Sequence, residues 1–287
     1  MENRNFVIII GESTGLQCLK KLLKSKLLEI SNVISVDKRY HKIIKNICKK
    51  NKISFNTSNQ FKKKASVVKF KQKNQYLLIS IFSSLILNNR FLKNFNKNAY
   101  NFHPGLLPFY PGKNCVSGAL YNKEKYTGVS LHYVNDKIDQ GKIIMQKKIK
   151  ISSNDKLIDL MSKLRILTIN MMEDFEKNLF LRKKFIPKKN NRNLAKKFPK
   201  KIPNNGLIDV ETNFEEFKRL FNASFFGPFY SSWGRCYFNY QKKKKIIINF
   251  NERIHTIDDK QKNFIKKINK NKFSLKLKKK VITVLTK

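Results

Sequence analysis

A chain of 287 residues with a hydrophobic share of 41% is long and apolar enough to bury a core, which excludes a disordered protein. Its formal net charge of +43 fits a polyanionic partner such as RNA or anionic lipid, but it also fits the Lys-, Asn-, Ile- and Phe-rich coding of an AT-rich genome. Because the basic residues are spread along the chain, we favour coding bias combined with a general attraction for anions.

Strands and helices alternate through the first half. The apolar run NFVIII (Asn5–Ile10) ends at Gly11 and predicts a buried parallel strand, and Gly15 then opens an amphipathic helix. Residues 32–37 predict a second strand followed by a second helix, and the segments KISF, YLLISIF and NAYNFH predict three more strands. This alternation predicts an α/β fold with a Rossmann-like open, mostly parallel sheet and helices on both faces.

The second half begins with a helix and ends in short strands. Residues 152–155 resemble an N-cap ahead of a long amphipathic helix that runs to Lys177. The basic stretch 188–206 predicts a linker, and a short helix and the segments RCYFNY, KIIINF, FSLKL and VITVLT follow it. We therefore predict a catalytic domain at residues 1–187, a linker at 188–206 and a small β-rich domain at 207–287.

The cysteines and the apolar runs indicate the cellular compartment in which the protein is expected. Four cysteines stand far apart without a CxxC pair, which argues against zinc and for reduced thiols in a cytosolic protein. No signal peptide is visible, and the longest apolar run, residues 76–87, is shorter than the roughly 20 residues that span a bilayer. We expect a cytoplasmic protein with no metal and no membrane span.

The phosphate-binding glycine patterns are missing. The first strand leads into GESTG rather than GxGxxG, and no GxxxxGK[ST] occurs. A nucleotide cofactor bound as in dehydrogenases is therefore not expected.

Two short segments, NFHPGLLP and NDKIDQGKII, carry the residues for chemistry. Asn101 and His103 alternate at the end of a predicted strand, so their side chains share a face, and the prolines and Gly105 then turn the chain. A strand at residues 128–133 leads towards Asp139, which reaches the same rim of the sheet if the two strands are neighbours.

An amide, an imidazole and a carboxylate at one rim suit the attack of an amine on a carbonyl. Asn101 and a protonated His103 can donate to the carbonyl oxygen as it becomes negative, and each such donor is worth on the order of 10²–10³ in rate. Asp139 can raise the pKa of His103 and accept the amine proton. Taken singly, His103 could be an ordinary loop residue and Asp139 a turn residue.

The segments NFHPGLLPFYPGKN and TGVSLHYVNDKIDQGKII resemble the formyltransferase family that uses 10-formyltetrahydrofolate. Its members usually read N-x-H-[PG]-S-L-L-P and later [ST]-G-[VC]-T-x-H-x-[MV]-[DE]-x-x-x-D-x-G-x-I-[IL]. The match is strong over residues 76–146. Gly105 stands where Ser is usual, which bears on contacts of the local loop rather than on the chemistry.

The resemblance implies roles for particular residues. The catalytic trio would be Asn101, His103 and Asp139. Contacts to the folate would come largely from backbone at Ser83, Ser84, Leu85, Leu87, Asn135, Asp136, Lys137 and Ile138. Contacts to the second substrate would come from Gly11, Ser13, Pro104, Gly105, Ser130 and His132. Ser130 and His132 could equally be half-buried polar residues of a strand.

Three kinds of acceptor compete within the resemblance. Enzymes that formylate glycinamide ribonucleotide usually lack a β-rich tail, whereas methionyl-tRNA formyltransferases have one and would suit the positive charge. Enzymes that formylate nucleotide-linked amino sugars have this first domain and a smaller second part, and they are the leading expectation. Phe225, Phe229, Tyr230 and Trp233 could stack a sugar or base, or could form a packed interface.

Two further alternatives stay open. A basic nucleic-acid-binding protein with a formyltransferase-like fold would bind RNA with a steep salt dependence and would not bind folate. The chain could also form a homodimer.

Overall fold

The computed structural model describes residues 5–25, 27–63, 76–95, 97–209, 211–229, 231–256, 264–277 and 280–286. The strands are β1 (Asn5–Ile10), β2 (Glu29–Ser35), β3 (Ser54–Thr57), β4 (Tyr76–Ile81), β5 (Ala99–His103), β6 (Tyr126–Tyr133), β7 (Ile143–Lys150), β8 (Tyr237–Tyr240), β9 (Lys243–Thr256), β10 (Ile265–Asn269), β11 (Lys272–Leu277) and β12 (Lys280–Thr286). The α-helices are α1 (Glu12–Ser25), α2 (His41–Lys50), α3 (Ser58–Lys63), α4 (Asn89–Leu92), α5 (Cys115–Tyr121), α6 (Leu157–Phe180) and α7 (Phe214–Ser224).

The chain divides into two compact units, and neither is one continuous stretch. The first unit comprises Met1–Lys113, Thr127–Ile149 and Lys163–Lys196, and the second comprises Asn114–Tyr126, Lys150–Ser162 and Lys197–Lys287. The boundaries 1–187, 188–206 and 207–287 stay a prediction.

The first unit is built on a seven-stranded sheet in the order β3-β2-β1-β4-β5-β6-β7. Pairs from β3 to β5 are parallel, and β5 pairs antiparallel with β6. All six residues of β4 and five of the six in β1 are buried, as continuous apolar runs in a covered parallel sheet require. The prediction of a mostly parallel α/β sheet is confirmed.

Helix α1 begins three residues before the predicted start at Gly15. The Gly15 amide donates to the Gly11 carbonyl at 3.1 Å, and this bond closes a first turn that starts at Glu12. Gly15 has a packing role, because a Cβ there would lie 2.1 Å from Cγ2 of Ile10. The missing side chain lets the helix approach β1 closely.

The second unit contains a five-stranded antiparallel sheet in the order β10-β11-β12-β9-β8. Its core includes Phe238, Phe273, Leu275 and Val284, each at most 1% exposed. The prediction of a β-rich second part is confirmed, with β10 as an unpredicted strand.

The four cysteines are thiols rather than halves of disulfides, and all are buried. Burial raises the pKa of Cys18 to about 12, of Cys48 to about 11 and of Cys236 to about 12. In the described part of the chain no helix has both the length and the apolarity needed to cross a bilayer.

Candidate active site

The site forms where β5 ends beside β6. Antiparallel pairing sets Asn101 opposite His132 and His103 opposite Ser130. Directly opposed residues project from the same face of a sheet, so the pairing brings four polar side chains together. His103, Ser130 and His132 are buried, and Asn101 is partly exposed.

Asp139 enters this group from the loop after β6. One carboxylate oxygen lies 3.4 Å from Nδ1 of His103, and the other lies 3.4 Å from Nε2 of His132. The Gly112 amide donates to the carboxylate at 2.7 Å. Two imidazoles and this amide overcome the effect of burial and hold the pKa of Asp139 well below its usual range. Asp139 is therefore an anion at neutral pH.

His103 is held on both sides. Its Nε2 lies 2.7 Å from the Tyr110 carbonyl oxygen, and its Nδ1 faces Asp139. We expected Asp139 to raise the pKa of His103 and keep the ring protonated. Asp139 does act in that direction, but burial of the ring is the larger effect, so the pKa of His103 lies below its ordinary value. The expectation of a protonated His103 is therefore corrected to a neutral ring near pH 7.

Asn101 and His132 form a cross-strand pair. The Asn101 amide nitrogen lies 3.1 Å from Nε2 of His132, and Nδ1 of that ring lies 2.7 Å from the Tyr133 carbonyl oxygen. Because a carbonyl only accepts, Nδ1 of His132 carries a proton. The Asn101 Oδ1 atom is buried and makes no hydrogen bond to the described residues. Such an acceptor is costly to leave unpaired, and a donor on a bound substrate would satisfy it.

Ser130, expected at the second substrate, is occupied in supporting a turn. It is fully buried, and its hydroxyl donates to the Gly105 carbonyl at 2.6 Å. It also accepts from the Leu107 amide at 3.0 Å and from the Gln146 side chain at 2.8 Å. Ser130 therefore fixes the turn after His103, including Pro104 and Gly105. Its contacts are to the protein rather than towards open space.

A residue that sequence analysis missed supports Asp139. The Asn190 side-chain nitrogen donates to the Asp139 carbonyl at 2.8 Å and to the Gly141 carbonyl at 3.1 Å. It lies 51 positions from Asp139 in a segment that we had assigned to a linker. Gly141 is required where it stands, because a Cβ there would lie 1.7 Å from the Tyr133 carbonyl oxygen.

The residues expected at the folate fall into two groups. Leu85 and Leu87 are buried in the core beside β1 and β4, so only their backbone can reach a ligand. The rest are partly exposed or exposed, and they belong to the loop after β4 or to the loop that leads to Asp139: Ser83, Ser84, Asn135, Asp136, Lys137 and Ile138. Ile138 is 56% exposed, and Ile86 in the other loop is 69% exposed. Two exposed apolar side chains suit contact with a planar aromatic ring.

Gly11 and Ser13 lie at the carboxyl end of β1. A Cβ on Gly11 would lie 2.0 Å from the Phe82 carbonyl oxygen, so this glycine permits the close approach of the loop after β4. Ser13 is partly exposed in the first turn of α1. Its neighbour Glu12 has a pKa raised to about 7, chiefly by burial.

Two further expectations concern a metal ion and the aromatic side chains near residues 225–233. No group of three or more His, Cys, Asp and Glu side chains that could hold a metal ion occurs in the described part of the chain. In the second unit Trp233 is 2% exposed and its indole donates to the Pro199 carbonyl, so it serves packing rather than stacking. Phe229 is 46% exposed, Phe225 stacks on Phe221, and Tyr230 lies outside the described residues.

Comparison with known proteins gives a family match and two curated relatives. The model of the family described as formyl transferase matches residues 4–174. The GDP-perosamine N-formyltransferase of Brucella melitensis is 29% identical over 153 residues, 53% of this chain and 58% of that protein. The methionyl-tRNA formyltransferase of Buchnera aphidicola subsp. Acyrthosiphon pisum is 32% identical over 160 residues, 55% of this chain and 48% of that protein. The chain thus spans about half the length of the curated relatives it matches.

Several solved structures are similar over nearly the whole chain, and one of them is a formyltransferase complex. It is the N-formyltransferase from Helicobacter canadensis in complex with folinic acid and dTDP-3-aminofucose. The TM-score is 0.68 at 18% identity, with 99% of each chain covered. At this identity the likeness establishes the shared fold.

Proposed function

Because this chain belongs to the formyl transferase family, we propose that it transfers the formyl group of 10-formyltetrahydrofolate to the amino group of a nucleotide-linked amino sugar. The observation that carries the proposal is the convergence of Asn101, His103 and Asp139 at one rim of the sheet, joined by His132. All four residues lie in the predicted catalytic domain, residues 1–187.

The protein's first task is to position the two substrates. The loops at residues 83–87 and 135–138 bind the folate between Ile86 and Ile138, with polar contacts from their backbone. The folate supplies the formyl group and a nitrogen leaving group. Asn101 lies at the inner end of this site, where its unpaired Oδ1 accepts a hydrogen bond from the attacking amine and holds its lone pair towards the formyl carbon.

When the amine attacks, negative charge develops on the formyl oxygen. The Asn101 side-chain nitrogen donates to this oxygen once it exchanges its contact with His132 for one with the substrate. Nε2 of His103 is bound to the Tyr110 carbonyl, so donation from His103 requires that bond to be exchanged as well.

The amine must lose a proton as its bond to carbon forms. The Asp139 carboxylate with its two imidazoles accepts this proton, since a ring that becomes an imidazolium is at once paired with the carboxylate. The same proton then passes to the folate nitrogen as its bond to carbon breaks. Atoms and charge balance without a covalent intermediate on the protein.

A nucleotide-linked amino sugar is the favoured acceptor for two reasons. The Helicobacter canadensis protein shares the fold over 99% of both chains and is in complex with dTDP-3-aminofucose. The Brucella melitensis relative is a GDP-perosamine N-formyltransferase. The similarity to a methionyl-tRNA formyltransferase at 32% identity favours charged initiator tRNA as the second candidate.

The test is an acceptor screen with 10-formyltetrahydrofolate. Purified protein is incubated with nucleotide-linked amino sugars and with methionyl initiator tRNA, and the formylated products are identified by mass spectrometry. Formylation of an amino sugar alone supports the proposal, whereas exclusive formylation of the tRNA overturns it. Asn101→Ala is the control, since it should abolish product while the protein stays folded.

A further inference from the structure

Residues 188–196, which lie within the predicted linker, are anchored at three points to loops of the candidate site, and we call them the basic strap. At one end Lys188 exchanges both backbone hydrogen bonds with Ile143, at 2.9 and 2.7 Å. In the middle the Asn190 side chain holds the Asp139 and Gly141 carbonyls. At the other end the Lys196 amide donates to the Phe109 carbonyl at 2.6 Å.

These anchor points are the loops that position the catalytic groups. The Asp139 loop supplies the carboxylate, and the loop that follows Phe109 supplies the Tyr110 carbonyl that holds His103 and the Gly112 amide that holds Asp139. The basic strap is thus fixed to both sides of the site, and its middle cannot lie far from it.

Arg192 projects from the middle of the basic strap, in a short 3₁₀ helix capped by the Asn191 side chain. Its Nη1 atom is buried and makes no hydrogen bond to the described residues. No ion pair joins Arg192 to an acidic side chain of that part of the protein. Arg192 stands two residues after Asn190, whose side chain binds the Asp139 carbonyl. The charge of Arg192 also lowers the pKa of His103, after the larger effects of burial, Asp139, His132 and the Tyr110 carbonyl.

A buried guanidinium nitrogen without an acceptor is costly, and the cost is removed when an anion binds. The charge of the segment points the same way. The basic strap contains Lys188, Lys189, Arg192 and Lys196, and no Asp or Glu occurs between Glu176 and Asp209. The segment therefore has no nearby acid in the sequence with which Arg192 could pair.

We propose that the basic strap is the anion-binding part of the acceptor site, with Arg192 as the residue that binds the diphosphate of a nucleotide-linked sugar. This inference rests on the proposed function. A guanidinium matches two phosphate oxygens with two parallel N–H groups. The diphosphate adjoins the sugar that carries the reacting amine, whereas the carboxylates of folate lie at its far end, away from the formyl group.

The first experiment measures anion binding without turnover. Titration calorimetry with dTDP compares the wild type with Arg192→Gln and Arg192→Lys, and Lys184→Ala serves as the matched control because Lys184 is an exposed cation outside the basic strap. We expect Arg192→Gln to weaken dTDP binding about ten- to hundredfold, as the loss of a charge-assisted hydrogen bond requires. Arg192→Lys should recover part of the lost affinity for dTDP, and Lys184→Ala should bind dTDP as tightly as the wild type. Equal affinity of wild type and Arg192→Gln, with both folded by circular dichroism, overturns the inference.

The second experiment separates the diphosphate from other anions. In steady-state assays Arg192→Gln should raise KM for the nucleotide-linked amino sugar with little change in kcat, and should leave the dissociation constant of folinic acid unchanged. Weaker folinic acid binding with unchanged KM overturns the inference, because Arg192 would then serve the folate. If no amino sugar is formylated but Arg192→Gln still loses dTDP, the proposed function fails while the anion site stands.

Discussion

Replacing Asp139 by Asn removes one charge from the centre of the site with almost no change in shape. The carboxylate accepts from the Gly112 amide at 2.7 Å and lies 3.4 Å from an imidazole nitrogen on each side. An asparagine oxygen can keep the Gly112 bond. It cannot stabilise an imidazolium on either His103 or His132, because the side chain is neutral.

The size of the effect follows from these two contacts. A hydrogen bond to a charged group contributes about 1.5–3 kcal/mol, so losing both at the transition state costs about 3–6 kcal/mol. At about 1.4 kcal/mol per factor of ten, kcat/KM should fall by roughly 10²–10⁴. Binding of folinic acid should change little, because the expected contacts of the folate are to other residues.

The assay is the steady-state release of tetrahydrofolate with the acceptor identified by the screen. Asp174→Asn is the matched control, since Asp174 forms a surface pair with Lys147 at 2.5 Å and is 47% exposed. The control should keep wild-type kcat/KM. A folded Asp139→Asn protein with activity within tenfold of the wild type would refute the proposed proton transfer through this cluster.

Three further predictions concern pH and backbone. Burial lowers the pKa of His103, and the neutral ring is the base, so kcat/KM should fall as the pH drops through an inflection below about 6.5; an inflection above that value would contradict it. The pKa of Glu12 is raised to about 7 in the folded protein. The stability that Glu12 contributes is therefore fully present below about pH 4.5 and is lost as the pH rises through about 7. Urea unfolding should therefore show Glu12→Gln gaining stability relative to wild type between pH 5 and 8, and a pH-independent difference would be the contrary result. Gly141→Ala places a Cβ 1.7 Å from a carbonyl oxygen and should cost about 2–4 kcal/mol of unfolding free energy, whereas Gly112→Ala, with open space but φ of +83°, should cost about 1–2 kcal/mol; equal losses would contradict this.

The fold could be predicted where buried strands appear in the sequence as continuous apolar runs. β1 and β4 are covered on both faces, so their apolar runs were sufficient to place them. β10 was not predicted because four of its five residues are exposed. It is held by backbone pairing with β11, so its sequence shows no apolar pattern. α5 was not predicted because its seven residues, which include a Ser and a Gly, are too few to show a helical period.

The candidate site could be predicted only in part, namely for the residues whose side-chain types indicate a catalytic role. Asn101, His103 and Asp139 were predicted from their side-chain types together with the resemblance of their two segments to a family motif, and β5 and β6 are neighbours as that prediction required. The central place of His132 depends on the register that sets it opposite Asn101, and one sequence does not disclose a register. Asn190 was missed because its role lies in binding two backbone carbonyls from a distant segment.

The buried thiols described above have a practical consequence. At neutral pH a thiol with a pKa of 11 or 12 is almost entirely in its unreactive form, and enclosure in the core also shields it from alkylating reagents. A maleimide dye would therefore react first with a cysteine engineered at an exposed position such as Lys189. The native chain thus needs no prior removal of its own cysteines before fluorescence can follow that segment through a catalytic cycle.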